Sequence, residues 1–111
     1  MYYSNRAQAF KKLNKLDLAL KDAQEAIELD TDNARGHMIA GRCLAEFGKQ
    51  EDNPKRIESA ITRLTKALTL SGGGKRLDLE KDASRYIYLA KKVLFYIRFK
   101  EVRNARLRAL E

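Results

Sequence analysis

Two sets of small residues at matching intervals constrain this chain more than anything else in it. Ala7, Ala19 and Ala26 form the first set, with Phe10, Leu13, Leu16 and Leu29 as large apolar companions. Gly41, Ala60 and Ala67 form the second, accompanied by Leu44, Phe47, Leu64 and Leu70. Small side chains at helical spacing let two antiparallel helices approach closely, so each set reads as one helix pair. From Ala26 to Ala67 is 41 residues, which is a period of 34 with seven more inserted. The surplus falls in KQEDNPKRIES, between the two helices of the second pair, and is expected to be an exposed loop.

Punctuation residues divide the chain further. Helix one is expected over about Tyr2 to Asn14, with Asn14 as a left-handed stop, and helix two from Asp17 to near Asp30. Gly48 is expected to end the third helix, and Asn53-Pro54 to cap and start the fourth, giving helices at about 34–48 and 54–71. Residues 72–76 form a glycine-rich link, because consecutive glycines are costly in a helix. GGGK is not a phosphate loop: it lacks the spaced second glycine, the GK[ST] ending and a preceding strand. From Leu77 onward there is neither Gly nor Pro. Leu79, Ala83, Tyr86, Ala90, Val93 and Ile97 step by three or four, which predicts one long helix over 77–111 packing against Leu64 and Leu68. The expected organisation is therefore all-α: helical repeats at 1–33 and 34–71, the link, and a long C-terminal capping helix with a basic end.

Charge and chemistry narrow the function. The net charge of +8 is uneven, +2 over residues 1–70 and +6 over residues 71–111, with five basic residues from Arg98 to Arg108. Such a patch attracts acidic peptides and nucleic acid alike. Tyr86, Tyr88, Phe95, Tyr96 and Phe99 could stack on bases, but no nucleic-acid motif accompanies them, so that reading is the lesser one. No run of about 18 apolar residues crosses a membrane, and no signal segment opens the chain. The single Cys43 excludes an internal disulfide and fits a reducing, cytoplasmic or nuclear compartment. Cys43 lies between core positions and reads as a buried small residue. His37 has no second ligand beside it, so no metal is expected. One His, one Cys and no placed acid–base pair make a catalytic site or cofactor unexpected.

On a helical solenoid the first helix of each pair lines the concave face. Asn5 and Gln8 lie a turn apart there, as do Arg35, Ile39 and Arg42. Asn amides and Arg guanidinium groups are the donors that a peptide's terminal carboxylate requires.

The stretches YYSNRA and ALKDAQEAIELD resemble the carboxylate-clamp tetratricopeptide co-chaperones. GHMIAGRCL and DASRYIYLAKK are more similar to their U-box, CHIP-like ubiquitin-ligase branch, so the resemblance covers most of residues 2–92. It implies a module that binds acidic C-terminal tails ending in EEVD, as carried by cytosolic heat-shock chaperones. It further implies Asn5 as a clamp asparagine and Asp82 as an acidic contact, with Met38, Ile39 and Leu79 as an apolar wall. Arg35 stands where the family usually has lysine, and its planar fork reaches differently. The family's first clamp repeat and the U-box are absent from this sequence, which reads as a fragment. Such a fragment is expected to self-associate through apolar surface on its first helix or its last, the latter at Leu94, Tyr96, Val102 and Leu110. A structural scaffold without clamp function is the other reading.

Overall fold

The computed structural model describes Arg6, residues 15–72 and residues 77–110. The first expected helix, Asn5 within it, and most of the glycine-rich link lie outside the described residues. Four helices occupy the rest: α1 Leu16–Leu29, α2 Ala34–Glu51, α3 Pro54–Ser71 and α4 Leu77–Ala109. No strand occurs among the described residues. The fold is an all-α, tetratricopeptide-like helical repeat.

Local chemistry accounts for the helix ends. Lys15 precedes α1 without a side-chain cap, and Asp17 supplies the negative charge that the first turn favours. After Leu29 the chain turns through Asp30, whose carboxylate accepts from the Asp32 amide at 3.0 Å. Asn33 then caps α2 by accepting from the Gly36 amide at 2.9 Å. Asn53 caps α3 through the Lys55 and Arg56 amides, with Pro54 in the first helical position. Here the Asn-Pro expectation holds.

The expected loop at residues 49–53 is not a loop. The second helix continues past Gly48 to Glu51, and only Asp52 and Asn53 make the turn, Asp52 in the left-handed region at φ 50°. The surplus residues lengthen the helical hairpin instead. Gly48 serves close approach rather than termination: a Cβ there would stand 2.7 Å from Ile57 Cδ1. At Gly41 a Cβ would meet Leu64 Cγ at 2.7 Å and the Ala60 carbonyl at 3.0 Å. These two positions, seven apart on one face, let α2 and α3 pack almost backbone to backbone.

Burial follows the helix order. Leu16, Ala19 and Ala23 of α1 pack on Ile39, Ala40 and Cys43 of α2. Met38 of α2, Leu64 and Ala67 of α3, and Leu79 and Ala83 of α4 form a second cluster. Ile57, Ala90 and Ile97 form a third, joining α3 to α4. The expected α4 stripe is therefore the packing face, and α4 lies mainly along α3. Its last ten described residues, 101–110, are all exposed.

Candidate functional site

The residues singled out from sequence divide by burial. Met38, Ile39 and Leu79 are 6%, 1% and 4% exposed. They are core side chains here, Ile39 under α1 and the other two between α2 and α4. An expected ligand wall is thus hidden, because the same apolar character that would attract a peptide also packs helices. Arg35 is half-buried in the first turn of α2, and Asp82 is exposed on α4. The Met38–Leu79 contact brings the starts of these two helices together.

A cleft opens one to three turns further along the same pair. It has a volume of about 130 Å³, with Arg42, Glu46 and Lys49 on the α2 side and Tyr86, Leu89 and Val93 on the α4 side. Ile57 of α3 and Ala90 also line it. The Arg42 guanidinium lies 4.2 Å from the Tyr86 ring centroid, a cation–π distance that holds the cation over the cleft. Cofactor pockets commonly reach about 300–1,000 Å³, so this space suits a side chain or chain end rather than a bulky small molecule. Sequence reading placed Arg42 on the concave face but missed Lys49, Glu46 and Leu89. The signal was available in the α2 spacing 42–46–49, the face that turns toward α4.

A wider groove of about 650 Å³ runs between α1 and α3, bordered by Gln24, His37, Thr62, Arg63 and Lys66. It is open, and its hydroxyls are those of Ser59 and Thr62, the latter donating to its own helix's Glu58 carbonyl at 3.1 Å. His37 at its base is buried, and its Nε2 donates to the Thr31 carbonyl at 2.9 Å. This partner in the α1–α2 turn gives His37 a structural task. Among the described residues no cluster of three or more metal-ligating side chains occurs, and no helix is long and apolar enough to cross a membrane.

The strongest electrostatic feature lies away from the cleft. Asp22 of α1 is buried and accepts twice from Arg6, from Nε at 2.5 Å and from the terminal nitrogen at 2.7 Å. The Arg6 hydrogen bonds hold the Asp22 carboxyl below its ordinary value, outweighing the upward push of desolvation. This fork ties Arg6 to α1.

Packed antiparallel helices, the close-approach glycines of the α2–α3 pair and a cleft between α2 and α4 define the tetratricopeptide-like helical-repeat class. Comparison with known proteins agrees. The chain is 32% identical over 82 residues to small glutamine-rich tetratricopeptide repeat-containing protein 2 of Saccharomyces cerevisiae, covering 74% of this chain and 22% of that protein. It is 40% identical over 47 residues to human DnaJ homolog subfamily C member 7, covering 42% of this chain and 10% of the relative. A STIP1 homolog of Dictyostelium discoideum is 36% identical over 59 residues, 53% of this chain and 10% of its own length. The chain thus spans between about a tenth and a fifth of these relatives. No family model matches it, and no solved structure does.

Proposed function

We propose that the chain is the peptide-binding part of a tetratricopeptide co-chaperone and takes acidic C-terminal tails of the EEVD type from heat-shock chaperones. The observation that carries this reading is the α2–α4 cleft, where Arg42 and Lys49 stand beside an apolar floor. Such a pairing suits a tail that combines carboxylates with an aliphatic side chain. Arg35, a turn or two from the cleft, and Asn5 would add donors, and Asp82 would bound the tail from α4. Relatives named for DnaJ and for tetratricopeptide repeats support a chaperone-interacting module. The chain is a binding module with no catalytic step of its own, working in the cytoplasm where those chaperones reside.

For the whole protein, the finer reading is a CHIP-like U-box ubiquitin ligase. Its support is the resemblance in GHMIAGRCL and DASRYIYLAKK. Self-association through the terminal helices is the other partnership to test. On α4, Tyr96, Val102 and Leu110 are exposed for it, whereas Leu94 is half-buried against α3.

Calorimetric titration of an EEVD peptide, as free acid and as C-terminal amide, tests the clamp. A charge-assisted hydrogen bond contributes roughly 1.5–3 kcal/mol. The free acid should therefore bind about tenfold or more tightly than the amide, and Arg42→Ala or Arg35→Ala should each remove a similar factor. Equal binding of acid and amide by all three proteins would leave the scaffold reading in its place.

A further inference from the structure

The outer face of α4 carries a second periodic pattern that the fold does not use. Ala83, Ala90 and Ile97, seven apart, are buried against α3. Two residues before each buried position is 200° round the helix, on the opposite side. There stand Lys81, Tyr88 and Phe95, with Val102 and Ala109 continuing the interval. Lys92, Phe99 and Arg106 fall between them, so the series steps 4, 3, 4, 3, 4, 3 from Tyr88 to Ala109. That alternation, sustained over three heptads, is the seam of a coiled coil. It is open to solvent: Phe95 is 73% exposed, Phe99 55% and Val102 61%. The two phenyl rings stack on each other at 6.4 Å, and Lys92 lies 5.5 Å from the Tyr88 ring centroid.

Charge decides what can occupy the seam. Lys92 and Arg106 sit within it, and Lys91, Arg98 and Arg103 flank it, against Glu101 on the far side. A parallel second copy would set Lys92 on Lys92 and Arg106 on Arg106. An antiparallel copy would bring the Lys91 flank onto Arg98, whose charge is partly offset by its pair with Glu58 of α3. Both arrangements place cation on cation, which opposes pairing. The 3.5-residue period matches the knobs of another helix. We propose that the outer face of α4 from Tyr88 to Ala109 docks an acidic amphipathic helix of a partner protein. Apolar partner side chains cover Phe95, Phe99 and Val102, and partner carboxylates face Lys92 and Arg106. Phe95, Phe99, Val102 and Arg106 do not line the α2–α4 cleft, whereas Lys92 borders a hollow beside it with Lys49 and Val93.

The test uses the full chain and a three-heptad peptide with Leu at its core positions and Glu at the positions facing Lys92 and Arg106 and on both flanks. A control peptide carries Gln for every Glu. The Glu peptide should bind at least tenfold more tightly than the Gln peptide. Phe95→Ala/Phe99→Ala, which removes exposed rings and should keep the parent's helicity and Tm, should lose at least tenfold. Lys92→Glu/Arg106→Glu should reverse the preference toward a Lys-bearing peptide. The proposal is overturned if Glu and Gln peptides bind alike or if the charge-reversed protein keeps the parent's preference. It is equally overturned if the parent sediments as a dimer through this face, or prefers a single-stranded oligonucleotide or an anionic vesicle to the peptide.

Discussion

Asp22 is the residue whose chemistry is most exposed to test. A buried carboxylate without a partner would be driven toward its neutral form, and the Arg6 fork reverses that tendency. Because its folded pKa is depressed, the stabilisation is present above the ordinary aspartate value of about 3.9. It is lost as pH falls through the lower, folded value. Thermal melts between pH 6 and pH 3 should therefore show a shallower acid-side fall in Tm for Asp22→Asn than for the parent. Identical slopes would show that Asp22 is not a linked group. Arg6→Ala should cost about 1–3 kcal/mol by leaving a buried acceptor charge unmet. The lower end applies, because the Arg6 side chain is 42% exposed and water screens the pair.

At the scale of elements, α4 depends on the length of the α2–α3 hairpin. The residues gained in the turn region carry α2 to Glu51, and Asp52 then accepts from Lys100 of α4 at 3.2 Å. Glu58, on the second turn of α3, pairs with Arg98. These exposed pairs contribute little energy, but they mark how far the hairpin supports α4. Burial contributes more. Ile97 is packed on Ile57 and Ala90 near the end of the supported stretch. Ile97→Ala should cost about 2–5 kcal/mol in denaturant unfolding. Val102→Ala, one turn further and exposed, should stay within about 0.5 kcal/mol. Similar losses at both positions would mean that the helix is held well beyond Lys100.

Across the whole molecule, the three core clusters are strung along the helix order rather than gathered into one centre. Each helix is stabilised mainly by its neighbours, as in a one-dimensional array. Amide hydrogen exchange should consequently be graded. The α2–α3 hairpin, sealed at Gly41 and Gly48, should be the most protected, and α4 beyond Lys100 should exchange near the rate of an isolated helix. Uniform protection over α1 to α4 would instead indicate a single cooperative core.

The sequence by itself determined the helices, their order and which face of α4 packs. Apolar periodicity, caps such as Asn53-Pro54 and the small residues at Gly41, Ala60 and Ala67 are local signals that survive without a partner. Only the tertiary structure decided the rest. Gly48 reads locally as a stop, but the Ile57 side chain needs the space its missing Cβ leaves, so the helix runs on. Met38, Ile39 and Leu79 read as a wall for a ligand, yet an apolar side chain is satisfied equally by a peptide or by a neighbouring helix, and here helices came first. The cleft lined by Arg42 and Lys49 exists because α4 lies along α3 and touches α2 only narrowly, an arrangement that no single helix encodes.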